Sequence, residues 1–143
     1  MSTGLNTGLA EDQSWVLRPL LEVVGVRHAV VLTSDGLVAG VSPGLPREAG
    51  EGASAMMSSL IGAARNVARE LSQNPDAAVV QVVVAVNEGF VFAVPAGRNA
   101  MLALYADGST DMQRIAHLVQ VQVAMLGDKA MGAQARQARH PGP

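Results

Sequence analysis

The chain has 143 residues, of which 49% are hydrophobic and 15% charged, with a net charge of −2 and no cysteine. That length suits one domain, and that apolar content excludes a disordered chain. Ten basic side chains against twelve acidic ones leave no excess to neutralise phosphates, which excludes nucleic acid as a partner, and the lack of cysteine excludes disulfides and thiol chemistry.

Residues 1–11 are small, polar and glycine-rich and read as a disordered lead-in, without the basic start or apolar run of a signal peptide. The domain proper is expected over 12–130. Across 12–24, Trp15, Leu17, Leu20, Leu21 and Val24 recur at helical spacing, with Trp15 stapling the helix to the sheet. Pro19 would kink that helix or delay its start, and Gly25 stops it. Residues 28–33 form a β-branched strand, Asp35-Gly36 supplies the positive φ angles of a tight hairpin, and 37–42 return as a second strand.

A long helix is expected over 48–73. Ala53, Met56, Met57, Leu60, Ile61, Ala64, Val67, Ala68 and Leu71 make one apolar stripe, assigned to the chain's own sheet. A second face is small throughout: Gly52, Ala55, Ser59, Gly62, Ala63 and Asn66. Residues 77–86 read as a long strand, apolar on both faces and therefore covered on both. Strands at 90–94, closed by Pro95, and at 100–105 follow. Ser109 caps a last helix over 110–129, with Met112, Ile115, Val119, Val123 and Leu126 inward and Leu118 and Met125 widening the stripe. The tail from 131 to 143 is polar and basic and reads as flexible. The order αββαβββα, with hairpin-joined strands, predicts an α+β fold built on an antiparallel sheet.

No catalytic or cofactor signature appears. There is no phosphate-binding glycine loop, and Lys129 is the sole lysine. His28, His117 and His140 stand far apart, with no second metal ligand at helical or hairpin spacing. Glu48, Glu51, Asp107 and Asp111 sit at helix starts, where acids complement the helix dipole. Ser58 and Ser59 lack a nucleophile elbow. Neither an enzyme, a cofactor nor a metal is expected. Four aromatic residues, Trp15, Phe90, Phe92 and Tyr105, are too few for a stacking platform. Apolar runs are strand-sized, far short of the ~20 residues of a membrane helix, so no direct membrane insertion is expected.

The informative features are surfaces. Low charge with a mean hydropathy of +0.25 points to burial in an oligomer. The small face at Ala55, Ser59, Gly62, Ala63 and Asn66 lets another backbone approach closely, either the chain's own sheet or a second helix. The strand carrying Val80, Val82 and Val84 is either central within one chain or an edge that pairs with its own copy. Arg65 and Arg69, one turn apart, form a solvated face or meet an acidic partner.

The stretches VVGVRHAVVLTSDGLVAG (23–40), MMSSLIGAARNVARELS (56–72) and VVQVVVAVNEGFVFAVPAG (79–97), together with the last helix, resemble the Roadblock/LC7 domain family of dynein light chains and MglB-like proteins. In wording they are most similar to short actinobacterial members encoded in conservon operons beside a sensor kinase and a Ras-like GTPase. The resemblance implies a five-stranded antiparallel sheet between one long helix and two shorter ones. It implies a homodimer in which third strands pair and long helices pack, placing Ala55, Ser59, Gly62, Ala63, Asn66, Val80, Val82 and Val84 at the interface. It also implies a cytoplasmic, non-enzymatic signalling scaffold that docks a small Ras-like GTPase, with Arg65 and Arg69 as candidate contacts and a sensor kinase complex as a further partner. In the MglB-like branch, docking stimulates GTP hydrolysis. The alternative is a small-molecule or signal-sensing αβ domain, which predicts a closed pocket between sheet and helix.

Overall fold

The computed structural model describes the backbone of residues 12–138 and the side chains of residues 12–127. The lead-in expected over 1–11 lies outside the described residues. The chain opens with a single 3-10 turn, Ser14–Leu17, and a one-turn helix α1, Arg18–Leu21. A continuous helix over 12–24 does not form. Pro19 lies in the first turn of α1, where its missing N–H costs nothing, so the α-helix begins there instead of running through it. Val16, Leu17 and Leu20 are fully buried, and Trp15 packs against the same core.

The remaining elements are β1 (Val26–Thr33), β2 (Val38–Val41), α2 (Arg47–Ser72), β3 (Val82–Val86), β4 (Gly89–Ala96), β5 (Ala100–Asp107) and α3 (Met112–Ala138). The strands form one antiparallel sheet in the order β2-β1-β5-β4-β3. The 3-10 turn, α1 and α3 cover one face over a core that includes Phe92, Leu102, Leu104, Ile115 and Val119. On the other face α2 covers a smaller cluster around Val30, Leu32, Ile61, Ala93 and Met101.

Local chemistry departs from expectation at several points. Of the Asp35-Gly36 pair only Gly36 takes positive φ, at +89°. Thr33 N–H donates to Leu37 O at 2.8 Å and Gly36 N–H to Thr33 O at 2.9 Å, closing a three-residue loop. The α3 cap is Asp111, not Ser109: its Oδ1 accepts the N–H groups of Gln113 and Arg114 at 3.0 and 3.3 Å. Ser109 is engaged instead by Asp107 Oδ1 through both its N–H and its hydroxyl. The helix also runs to Ala138 rather than ending near 129, as its Ala-, Gln- and Arg-rich end favours. Its buried stripe is Ile115, Val119, Gln122 and Leu126, while Met112 and Met125 are exposed. Gln122, unremarked in the sequence, donates from Nε2 to Val16 O at 2.9 Å and ties α3 to the first turn.

The third strand is half its expected length. Only Val82–Val86 pair, and 77–81 form no strand. The ladder stops at Val82–Ala93; carried two residues further it would meet Pro95, which has no N–H to offer. Pro95 itself sits inside β4, opposite Met101, rather than closing the strand. Val80 therefore lies outside β3 and is 75% exposed. Nor is the strand covered on both faces. β3 is an edge strand, with Val83 and Val86 nearly half exposed.

Candidate functional site

α2 meets the sheet through a narrow stripe. Gly50, Ser54 and Ile61 are its buried residues, with Met57 partly buried between them. The contact is close because these residues are small: a Cβ on Gly50 would lie 3.3 Å from Val41 Cγ2. Ser58 fixes the helix laterally by donating to Ser34 O at 2.8 Å. The stripe assigned from sequence thus meets the sheet along one side only, through Met57, Ile61, Ala64 and Ala68. Of its members only Ile61 is buried, while Met56 is 70%, Val67 55% and Leu71 83% exposed.

Of these outward residues Met56 lines an open groove of about 480 Å³ between α2 and the sheet. Ala53, Met56, Met57 and Leu60 form its helix wall, and His28, Tyr105 and Val91 lie across its floor. His28 and Tyr105 are cross-strand partners on β1 and β5. His28 Nδ1 is 3.3 Å from Ser42 Oγ, which also accepts the Ala29 N–H at 3.1 Å. The groove is open, unlike the closed pocket that a small-molecule sensor would need.

The two sheet edges differ. At the β2 edge, Gln13 N–H donates to Ala39 O at 2.8 Å and Val41 N–H to Ser14 Oγ at 3.2 Å. The chain fits there because residue 40 is glycine; a Cβ would sit 2.7 Å from Ser14 N. Asp12 Oδ1 accepts both N–H and hydroxyl of Ser14, and these bonds hold its carboxyl below the usual range. No comparable segment pairs with β3 on its outer side among the described residues.

The residues singled out from sequence fall into separate places. Val82 and Val84 are half-buried on the α2 side of β3, whereas Val80 stands apart. Gly62, Ser59, Ala63 and Asn66 lie on a surface of α2 that faces neither sheet nor groove. A Cβ on Gly62 would meet only the guanidinium of Arg65, and one on Gly52 nothing at all. Ala55 is exposed but abuts the β1–β2 loop, where a Gly36 Cβ would come within 3.3 Å of its Cα. Arg65 is exposed, while Arg69 Nε donates to Ala77 O at 3.0 Å. His28 and His117 are not brought together: one lines the groove, the other is exposed on α3. Among the described residues no group of three His, Asp or Glu side chains could hold a metal, and no helix is long and apolar enough to cross a membrane.

Met56, Val67 and Leu71 read as core from sequence because they are large and apolar, yet they are exposed. The signal that marks the true inner stripe is spacing. Positions 50, 54, 57, 61, 64 and 68 alternate steps of four and three, as a helix seated along one line requires.

A model of the Roadblock/LC7 domain matches residues 13–106. Among solved structures, a Roadblock/LC7 domain from Streptomyces avermitilis is similar with a TM-score of 0.76 and 27% identity, over 85% of this chain and 99% of that one. The gliding protein MglB of Thermus thermophilus gives a TM-score of 0.70 at 18% identity, over 83% of this chain and 88% of its own. Profilin II of Acanthamoeba castellanii shares the fold with a TM-score of 0.59 at 17% identity, over 84% and 99%. No curated protein sequence matches the chain.

Proposed function

The chain belongs to the Roadblock/LC7 family, and from that premise we propose that it is a homodimeric, non-enzymatic regulator or scaffold that docks a small Ras-like GTPase in a bacterial signalling system. The observation that carries this reading is the bare β3 edge beside the exposed apolar stripe of α2. An uncharged edge strand invites strand pairing, and a two-fold axis at that edge joins two β3 strands antiparallel. The C-terminal half of α2 packs toward Val79 and Val82, near the start of β3. In the proposed pair the same half of the second α2 reaches across the seam toward the opposite end of this sheet. That end holds the groove floor of Val91, Tyr105 and His28. Val67 and Leu71 of the second copy are the proposed apolar occupants.

In this arrangement the interface uses Val82, Val84, Met56, Leu60, Val67 and Leu71. The small face at Ser59, Gly62, Ala63 and Asn66 is left outward and, with Arg65, becomes the platform for the GTPase. Arg69 is a weaker candidate contact, since its guanidinium already serves Ala77. Modulation of GTP hydrolysis, a sensor kinase complex as a further partner and a cytoplasmic location belong to the same proposal.

The test has two arms. Light scattering of the purified chain should give twice the monomer mass. Affinity capture from the native lysate, with GDP or a GTP analogue, should recover a Ras-like GTPase. A monomer in the first arm, or no GTPase with either nucleotide in the second, overturns the corresponding half of the reading.

A further inference from the structure

The groove that the second copy is proposed to fill contains one basic group. His28 stands on its floor beside Tyr105, with apolar walls from Leu45, Ala53, Met56 and Met57. Ser42, 2% exposed, faces it from the end of β2. Ser42 Oγ accepts the Ala29 N–H at 3.1 Å and, with one proton and a second acceptor site, can meet His28 Nδ1 as donor or acceptor.

Nothing on the neighbouring elements offsets a positive charge there. The phenol of Tyr105 on β5 and the hydroxyl of Ser42 beyond β2 are the facing polar groups. Among the described residues no carboxylate or second basic side chain lines the groove. At the start of α2, Glu48 and Glu51 are exposed and do not line the groove, Glu51 being paired with Arg47 at 3.1 Å. On a second copy's α2, Val67 and Leu71 form the contacting stripe; Arg65 and Arg69 fall off it by helical spacing, and Glu70, three residues from Val67, lies at its border.

We propose that His28 makes the pairing of two copies dependent on pH, the neutral imidazole being compatible with a covered apolar groove and the imidazolium opposing closure. This rests on the proposed seating of a second copy over the groove. Histidine changes charge between pH 5 and 8, and covering a charge with apolar surface is unfavourable. The sign follows: the free monomer takes up a proton more readily than the pair, so pairing is tight above that window and weakens as pH falls through it.

The experiment is sedimentation equilibrium of the full chain at pH 8.0 and pH 5.5, with circular dichroism confirming that it stays folded at both. For the unaltered protein the dimer dissociation constant is expected to rise about tenfold or more on acidification. His28→Phe should remove that dependence, and so should His28→Gln, which keeps a polar side chain should the ring variant fold poorly. His117→Gln and His140→Gln should leave it intact. A chain monomeric at pH 8.0 removes the pairing itself. A dimer of equal strength at both pH values, or a pH dependence that survives in both His28 variants, overturns the role of His28 while leaving the pairing in place.

Discussion

Arg27 Nη2 lies 2.7 Å from Oδ2 of Asp107, joining the start of β1 to the end of β5. The same carboxylate accepts the hydroxyl and N–H of Ser109 through Oδ1. Ser109 is the larger cause, and Arg27 adds to it, of a carboxyl held below the usual range. A depressed carboxylate stabilises the fold above its unfolded value, and the contribution is lost as pH falls through the folded one. Asp107→Ala should therefore melt below the unaltered protein at pH 7, with the gap closing as pH falls below the ordinary carboxylate range. A gap that is constant across a pH series of thermal melts would count against this account.

The same corner forbids a side chain at Gly25. Its φ is +90°, and a Cβ would lie 2.1 Å from Thr110 Oγ1 and 2.7 Å from Asp107 Oδ1. Gly25→Ala should cost about 2 kcal/mol or more, combining backbone strain with displacement of the Asp107 network. Urea unfolding measures it directly.

Under α2 the prediction has the opposite sign. Ser54 is fully buried and its hydroxyl has no hydrogen-bond partner. Ser54→Ala removes an unpaired polar group while keeping the close approach of helix to sheet, and should stabilise by up to ~1 kcal/mol. Ile61→Ala, about two turns further along the same line, should destabilise by about 2–4 kcal/mol. A destabilising Ser54→Ala would mean that the hydroxyl is bonded after all.

The two outer surfaces of α2 separate by mutation. Leu71→Asp places a charge where the leucine is 83% exposed in its own chain, so the melting temperature of the monomer fold should hold while the dimer is lost. Gly62→Glu should leave pairing unchanged and abolish GTPase capture. Equal effects of both variants on dimer mass, read by light scattering, would merge the two surfaces into one.

Much of this fold is legible in the chain. Element order, the antiparallel sheet and the core positions Val30, Leu32, Phe92, Leu102 and Leu104 follow from β-branched runs, turn residues and alternation, and all five are buried. Hydrophobicity alone misplaced α2. It favours Met56, Val67 and Leu71 as core, whereas the helix seats on Gly50 and Ser54 because small residues permit contact. The length of β3 was hidden for another reason: its limit is set by Pro95, a residue of a different strand that only the register brings opposite. Gln122 was unreadable in the same way, its partner being the carbonyl of Val16, at the other end of the domain.

The unequal edges of the sheet limit how many chains can join. Were β2 as bare as β3, the edge of one molecule could receive the opposite edge of the next, and the ribbon would lengthen without end. Gln13 and Ser14 occupy the Ala39 and Val41 backbone positions, so that route is shut. Strand-to-strand growth then has a single acceptor per molecule, and one addition consumes it on both sides. A short segment at the head of the domain thus guards against fibre formation, though it lies at the far side of the sheet from the place where chains would meet.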